Sequence, residues 1–438
     1  QIPRPSREEA AVRRYVIEQA EAGGHKWRID AQGNLVVSVP PTAGRESAPR
    51  VIIQNHLDMV TVKTADKEHD FSRDPLSLRV EEGWLRADRT TLGADNGVGC
   101  AAALALMTDP ELAHPALELL FTVDEETGLG GALNLDPDML HGDLMLNLDT
   151  EDWNELYVGC AGGGGWEFTR DFPVSPATDR CWRLELKGLA GGHSGIQIHE
   201  QLGNAAKMLC QCLEEVAGLK LGAMDAGVAH NVIPREGWIV FSAPPEAVEQ
   251  LEAVLPVLEA DWRGYLPEAD SELQLSLAET APVQLLEEKD SRGVLDVIAA
   301  WPHGAQAYNL HQPAELVDLS INLAIARLSG GKFFVESSYR FFNESQSQPL
   351  QQSVRALARA YALSARPVVG YPGWQPDFDS PLLHRAIALH RELFGSEPAV
   401  KAIHAGLECG ILKGKKPDLD ILSFGPTIKG AHLSLIHI

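Results

Sequence analysis

The fold of this chain is indicated first by residues 51–58, VIIQNHLD, where an apolar run leads into His56 and Asp58. A short run rich in Val and Ile predicts a buried β-strand. The stretches on either side follow another pattern: residues 7–22 carry apolar side chains at helical spacing, and residues 98–107 form a helix of small residues. Strand-length and helix-length patterns continue to alternate along the chain. This alternation predicts the α/β class with a mostly parallel sheet.

Side chains that can bind metal ions follow three of the predicted strands, at residues 51–53, 117–123 and 144–148. They are His56, Asp58, Glu125, Glu126 and Asp149. In open parallel sheets, ligands bind beyond the carboxyl ends of the strands, so we expect these side chains at one edge. Asp95 precedes the small-residue helix and can join the same edge.

The chemistry of this set favours a site for two metal ions. Carboxylates that crowd together repel each other and cost stability unless a cation neutralises them. Two carboxylates and an imidazole per ion, without a thiolate, suit Zn²⁺ and also Mn²⁺ or Co²⁺. An aspartate offers two oxygens, and Asp95 is the candidate that bridges the two ions.

Composition excludes several other classes of protein. The 438 residues are enough for two or three domains, and the formal charge of −24 argues against partners such as nucleic acid and anionic membranes. No apolar stretch approaches the ~20 residues of a membrane span. The six cysteines include no CxxC pair, so a zinc-finger or disulfide framework is not expected. A cytoplasmic protein fits these features.

Two candidate joints divide the chain. Residues 160–165, CAGGGG, predict a flexible joint, and residues 371–374, YPGW, predict a second one. Between them, strands and helices interleave in a manner typical of an α+β domain. We therefore predict an α/β domain made of residues 1–165 and 373–438, interrupted by an inserted α+β domain of residues 166–372.

The chain resembles the M20 family of di-metal peptidases in motifs that run nearly its whole length. The motifs of the family as a whole are HLD at 56–58, GADNG at 93–97, EETG at 125–128, Asp149 and GGHSG at 191–195. Those of the aminoacyl-histidine dipeptidase branch, also called the Xaa-His dipeptidase, peptidase D or bacterial carnosinase branch, are CAGG at 160–163, HNVIPRE at 230–236, YPGW at 371–374, HAGLECG at 404–410 and SFGPTI at 423–428. The resemblance implies that the interrupted domain is catalytic and that the inserted domain is a lid that also forms a homodimer.

The resemblance also implies a ligand for each metal position. The implied ligands are His56 and Asp149 on one ion, Glu126 and His432 on the other, and Asp95 between them. His432 follows the predicted strand 419–424 and matches the last metal ligand of the family. His404 stands in an equally recognisable motif, and we expect it to contact the substrate and not a metal ion.

Catalytic and substrate-binding roles follow from the same resemblance. Glu125 would be the general base for a water held between the ions. Asp58 would hydrogen-bond the ring of His56 and fix its tautomer. His193, in the inserted domain, would donate a hydrogen bond to the oxyanion of the intermediate. The residues expected to contact substrate are Asn231, His404, Glu408 and Arg340.

The predicted function is hydrolysis of dipeptides with C-terminal His, including β-alanyl-histidine, and of some related dipeptides. Two other readings of the same scaffold stay open: an M20-type amidohydrolase such as an aminoacylase or deacetylase, and a non-catalytic protein that binds metal or peptide. An oxidoreductase is a weaker alternative, because residues 97–102 fit G-x-G-x-x-A before a helix but do not directly follow a strand. Close helix packing explains those glycines better.

Overall fold

A computed structural model describes residues 2–310 and 316–430. The chain divides into two compact units, Gln1–Cys160 with Trp374–Ile438, and Ala161–Gly373.

The α-helices vary in length from five residues (α3) to 21 residues (α5). They are α1 (Ala10–Ala22), α2 (Ala94–Thr108), α3 (Gly130–Asn134), α4 (Ala205–Cys212), α5 (Pro245–Tyr265), α6 (Glu288–Ala300), α7 (Glu344–Ala360), α8 (Pro381–Phe394) and α9 (Glu408–Lys415). Single turns of 3-10 helix cover Pro137–Met139, Ile198–Glu200 and Glu268–Asp270.

The β-strands belong to one large sheet in each unit and to small two-stranded ribbons. They are β1 (Lys26–Ile29), β2 (Leu35–Val39), β3 (Val51–His56), β4 (Leu78–Glu81), β5 (Trp84–Ala87), β6 (Leu117–Thr122), β7 (Leu144–Asn147), β8 (Glu155–Cys160), β9 (Gly162–Asp171), β10 (Ser175–Pro176), β11 (Cys181–Lys187), β12 (Gly192–His193), β13 (Lys220–Ala226), β14 (Val232–Ile233), β15 (Gly237–Ser242), β16 (Gln274–Thr280), β17 (Gln284–Leu285), β18 (Gly304–Tyr308), β19 (Val317–Ser329), β20 (Lys332–Phe341), β21 (Ser364–Tyr371), β22 (Ala399–Ile403) and β23 (Asp420–Ser423).

The sheet of the first unit has the order β1-β2-β6-β3-β7-β23-β8-β22. Its central strands β6, β3, β7 and β23 are mutually parallel, and antiparallel pairs occur toward both edges. All six side chains of β6 are buried, as expected for a strand covered on both faces. The α/β class with a mostly parallel sheet is thereby confirmed.

Small residues let helix α2 pack closely on this sheet. Ala103 and Met107 of α2 join Val16 and Ala20 of α1 in the core under strands β2, β3 and β6. A Cβ added to Gly99 would meet the side chain of Asn55 and would lie 2.9 Å from the carbonyl oxygen of Leu148. The glycines of residues 97–102 therefore serve close packing, which supports the interpretation preferred over a dinucleotide fingerprint.

The second unit contains a nine-stranded antiparallel sheet. Its order is β16-β11-β15-β13-β19-β20-β9-β21, and β18 pairs with β19. Helices α4, α5, α6 and α7 bury side chains such as Leu209, Leu251, Ile298 and Val354 in the core of this unit. This combination of an antiparallel sheet with helices is the α+β arrangement expected for the middle of the chain.

The boundary between the two units falls at Cys160 and Ala161, but the expectation that residues 160–165 are flexible is wrong. Gly162 to Gly165 begin strand β9 and pair in register with β20, where Gly162 faces Phe341. A Cβ on Gly164 would lie 2.6 Å from the hydroxyl of Tyr339. Glycine therefore lets neighbouring chain segments approach this strand closely. A run of glycines can indicate close approach of this kind as well as a flexible segment.

Within residues 2–310 and 316–430, helices long enough to cross a lipid bilayer are not apolar enough to do so.

Candidate metal centre and active site

The predicted metal-capable residues of the first unit meet at the carboxyl edge of its parallel strands. His56 is the last residue of β3, and it lies beside Thr122, the last residue of β6. Glu125 and Glu126 follow β6, and Asp149 follows β7 by two residues. Parallel strands end at the same edge, so this register brings side chains from distant parts of the sequence together.

The imidazole of His56 lies at the middle of the group and is 1% exposed. Its Nε2 lies 2.8 Å from Oδ1 of Asp95 and 3.2 Å from Oδ1 of Asp149. Its Nδ1 lies 3.4 Å from Oδ1 of Asp58. Burial alone would lower the pKa of His56, but the carboxylates of Asp149, Asp58 and Asp95 outweigh it and raise this pKa well above its usual value.

Asp58 is a fully buried carboxylate that organises the loop after β6. Its Oδ1 accepts a hydrogen bond from the backbone N–H of Glu125 at 3.1 Å, and its Oδ2 accepts one from the N–H of Glu126 at 3.1 Å. The hydroxyl of Ser6 donates to Oδ2 at 2.7 Å. Although burial opposes it, contact with His56 and these hydrogen bonds lower the pKa of Asp58 to about 2. Asp58 is thus a permanent anion that positions both glutamates.

Two overlapping groups of ligand atoms could each hold a metal ion. One consists of His56, Asp95 and Asp149, and the other of His56, Glu125 and Glu126; within each group the ligand atoms lie within 4.8 Å of one another. Oxygen and imidazole nitrogen donors of this kind suit zinc, manganese or cobalt.

The electrostatics of the group fit a cation as well. Burial, together with neighbouring carboxylates, raises the pKa of Asp149 to about 6 and that of Glu125 well above its usual range. Shifts in this direction are expected where buried carboxylates lie close together without a cation. A divalent cation supplies the missing positive charge, so the residues present fit the di-metal centre that was predicted.

Glu408 and His404 also lie in the first unit and are buried. Glu408 begins helix α9 and has no exposed surface. Its Oε2 accepts hydrogen bonds from Nε2 of Gln54 at 2.5 Å and from the hydroxyl of Thr122 at 2.6 Å. Burial is the main cause that raises the pKa of Glu408 to about 8. His404 follows strand β22 and is 7% exposed.

His193 and Asn231 are neighbours in the second unit. Strand β12 pairs with β14 so that His193 faces Val232, and the N–H of Ser194 donates to the carbonyl oxygen of Asn231 at 2.8 Å. The ring Nδ1 of His193 accepts hydrogen bonds from the backbone N–H groups of Gly195 and Ile196 at 3.2 and 3.1 Å. A neutral imidazole that accepts at Nδ1 carries its proton on Nε2, so His193 is a donor at Nε2.

Arg340 lies on strand β20 of the second unit and is 9% exposed. Its Nη1 donates to the hydroxyl of Tyr371 at 3.0 Å. Its Nε is buried without a hydrogen-bond partner in the part of the chain that the structure describes. A buried guanidinium with an unused donor is suited to bind an anionic group.

The last predicted ligand, His432, lies outside the described residues.

Two side chains with no predicted role also organise the site. Arg4 donates to the carbonyl oxygens of Leu57 and Asp58 at 2.8 and 2.7 Å, and also to that of Gly93. Asn96 donates to Asp149 and to the carbonyl oxygen of Leu148. Asn96 lies inside a motif that drew attention to its neighbour Asp95. Arg4 has no local pattern that could reveal it, because its partners are more than fifty residues away.

Comparisons with known proteins identify the family of the chain. The profile of peptidase family M20/M25/M40 matches residues 52–434. The chain is 34% identical over 441 residues to the cytosol non-specific dipeptidase of Escherichia coli (strain K12), and this alignment covers 98% of the chain and 90% of the relative.

Solved structures show the same relationship. The crystal structure of aminoacylhistidine dipeptidase from Vibrio alginolyticus matches with a TM-score of 0.88 and 34% identity, covering 99% of the chain and 89% of that protein. Aminopeptidase PepT from Bacillus cereus matches with a TM-score of 0.53 and 13% identity, which concerns the fold alone. The motifs, the convergence of His56 with its carboxylates and these full-length matches together show that the chain belongs to peptidase family M20/M25/M40.

Proposed function

We propose that this protein is a metallo-dipeptidase that hydrolyses dipeptides with C-terminal His, including β-alanyl-histidine, and some related dipeptides. The observation that carries the proposal is the convergence of His56, Asp95 and Asp149 beside Glu125 and Glu126 at one sheet edge. The names of the two full-length relatives support it, since both are dipeptidases. One of those names reads "non-specific", which supports a range of substrates wider than Xaa-His alone.

We assign two divalent ions to the centre, with zinc as the metal. His56 and Asp149 would hold one ion, Glu126 and His432 the other, and Asp95 would bridge them. When bound, such ions polarise a peptide carbonyl and make a water molecule more acidic.

Glu125 is assigned as the general base. It lies beside the candidate ligands, and Asp58 fixes its backbone through a hydrogen bond to its N–H at 3.1 Å. Its buried carboxylate binds a proton more readily than an exposed one, because burial raises its pKa. Glu125 can therefore take a proton from the attacking water and return it to the leaving amine.

His193 is assigned as the donor to the oxyanion. Its Nδ1 is occupied as an acceptor by two backbone N–H groups, which leaves Nε2 protonated and able to donate. Both N–H groups come from the turn that follows His193.

The remaining assignments concern the ends of the dipeptide. Glu408 would accept a hydrogen bond from the free amino group, because its Oε1 is buried and has no partner among the described residues. Arg340 would bind the terminal carboxylate through its unused Nε. Asn231 and His404 would contact the substrate between these ends.

Metal analysis combined with a dipeptide panel tests the proposed function. Chelated protein is reconstituted with Zn²⁺, Mn²⁺ or Co²⁺ and assayed on dipeptides that vary the C-terminal residue, with N-acetyl-histidine included. We expect two ions per chain and the highest kcat/KM on Xaa-His. A metal-loaded protein that cleaves only the N-acyl compound would replace the proposal with an amidohydrolase, and one that binds but never cleaves dipeptides would overturn catalysis.

A substitution of Glu125 tests its assignment as the general base. Glu125→Gln keeps the size of the side chain but removes its basicity, so kcat should fall by about 10²- to 10⁴-fold while two ions remain bound. Glu46→Gln, in an exposed loop, is the control and should retain full activity. Near-normal turnover by Glu125→Gln would exclude Glu125 as the base.

We further propose that the protein acts in the cytoplasm as a homodimer formed through its second unit. The word "cytosol" in the name of the Escherichia coli relative supports the compartment. Light scattering on the purified chain should give twice the monomer mass of 47.6 kDa. A mass equal to the monomer would refute the dimer.

A further inference from the structure

A row of polar side chains crosses the middle of the parallel sheet in the first unit. Gln54 on β3, Asn147 on β7 and Ser423 on β23 are direct neighbours in the register of these strands. None of the three has exposed surface. We call these residues the polar row. Central strands of a parallel sheet are normally apolar because both faces are covered, so three aligned polar residues are unusual.

The polar row forms one directed chain of hydrogen bonds. The hydroxyl of Ser423 donates to Oδ1 of Asn147 at 2.5 Å, and Nδ2 of Asn147 donates to Oε1 of Gln54. Nε2 of Gln54 then donates to Oε2 of Glu408 at 2.5 Å. Each amide uses its oxygen on the side of Ser423 and its nitrogen on the side of Glu408. The chain therefore works in only one direction, with the carboxylate as its last acceptor.

The carboxylate at the end of this chain is tightly held. Oε2 of Glu408 receives a second hydrogen bond from the hydroxyl of Thr122 on β6. Two donors from adjacent strands fix one oxygen, and so the direction of the other oxygen, Oε1, is fixed as well. The carboxylate of Glu408 is also close enough to His56 and Asp149 to interact with them electrostatically.

A structural role alone would not require this arrangement. A buried polar group without a partner destabilises the fold, whereas apolar residues in the same places would need no partners. The polar row is satisfied only when every amide has one orientation. This orientation makes the amide N–H of Gln54 a fixed donor to the carboxylate of Glu408, beside the metal-capable residues.

We propose that the polar row is a positioning device that fixes the carboxylate of Glu408 and thereby sets the affinity of the site for the free amino group of a dipeptide. This inference rests on the proposed function, in which Glu408 contacts that amino group. Gln54, Asn147 and Ser423 act through Glu408 and do not touch the substrate.

The sharpest test reverses the hydrogen bond between Asn147 and Gln54 without changing the size of either side chain. Asn147→Asp, assayed at a pH at which the new carboxyl group is ionised, replaces the donor to Gln54 by an acceptor, so the amide of Gln54 must turn and withdraw its N–H from Glu408. We expect KM for the dipeptide to rise about tenfold, while kcat changes much less. Asn34→Asp is the matched control: Asn34 is also fully buried in the first unit, but its amide bonds Asp30 and Gly131. It should lower stability without raising KM.

The end of the row offers a graded test with a conservative rescue. Ser423→Ala leaves Oδ1 of Asn147 without its donor and should raise KM by a smaller factor than Asn147→Asp. Ser423→Thr keeps the hydroxyl and should restore the wild-type KM. Equal KM values for the Ala and Thr variants would contradict the role of this link.

A double-mutant cycle with Glu408→Gln separates positioning from general damage. If Asn147 acts through Glu408, then Asn147→Asp should raise KM no further in the Glu408→Gln background. Additive effects on KM would overturn the proposal. A crystal structure of metal-free Asn147→Asp supplies a readout independent of activity, and an unmoved Glu408 carboxylate would also overturn it. If the carboxylate moves but Glu408→Gln leaves KM unchanged, positioning stands and the proposed amino-group contact fails.

Discussion

The substitution Asp58→Asn should destabilise the first unit and weaken metal binding together. Asp58 is fully buried and accepts three hydrogen bonds, from the N–H groups of Glu125 and Glu126 and from the hydroxyl of Ser6. Asparagine keeps one oxygen and replaces the other by an NH₂ group. Whichever way the amide turns, a donor then faces a backbone N–H that also donates.

The size of the effect follows from these contacts. A hydrogen bond to a charged group contributes about 1.5–3 kcal/mol, and a buried donor left without a partner adds a penalty of similar size. We therefore expect the free energy of unfolding of the metal-free first unit to fall by about 3 kcal/mol. The neutral side chain also withdraws a charge 3.4 Å from Nδ1 of His56, and metal affinity should fall about 10- to 100-fold.

Denaturant unfolding in EDTA isolates the stability effect from the contribution of bound metal. Zinc affinity is then measured by competition with a chelating dye. Ser6→Ala, which removes one donor to the charged carboxylate of Asp58, should cost about 1.5 kcal/mol. Asp66→Asn is the control, since Asp66 is an exposed partner of Arg89 and its loss should leave both measurements unchanged. An Asp58→Asn protein that unfolds in EDTA at the wild-type denaturant concentration would refute the role of Asp58 in holding the loop after β6.

Three further predictions use other parts of the chain. Asp95→Ala should lose both ions in metal analysis, because it removes the bridging carboxylate; retention of two ions per chain would exclude bridging. Gly162→Ala should lower the unfolding midpoint, because its Cβ would lie 2.6 Å from the carbonyl carbon of Pro372, whereas Gly264→Ala in helix α5 has open space and should raise it slightly. His303→Gln should make stability less dependent on pH in the acid range. Burial, with nearby Lys207, lowers the pKa of His303 from 6.5 to about 4, so the unfolded chain binds a proton at a higher pH than the folded chain does. The free energy of unfolding of the wild type therefore falls by about 3 kcal/mol as the pH drops from about 6.5 to 4. Denaturant midpoints of wild type and variant that fall in parallel between pH 7 and 4.5 would contradict this.

Local patterns were sufficient to predict the α/β class and the position of the metal-capable residues at strand ends. The runs at 51–53 and 117–123 are recognisable because a buried parallel strand has to be apolar, and the change to His56 or to Glu125 marks the carboxyl end of the strand. The same local pattern misled at residues 160–165. A glycine run has the same composition in a hinge and in a crowded strand, and only the neighbours Phe341, Tyr339 and Pro372 distinguish the two.

By itself, the sequence determined which residue types could bind metal and the family to which the chain belongs, because these depend on side-chain chemistry and on motifs a few residues long. Tertiary structure alone decided how those residues are held. Arg4 joins the loops before Asp58 and Asp95, Asp58 positions two glutamates, and Gln54 turns its amide toward Glu408, which lies 354 residues later in the chain. Hydrogen bonds require atoms within about 3 Å at a suitable angle. Whether residues so far apart in sequence meet that condition depends on strand order and register, which local composition does not specify.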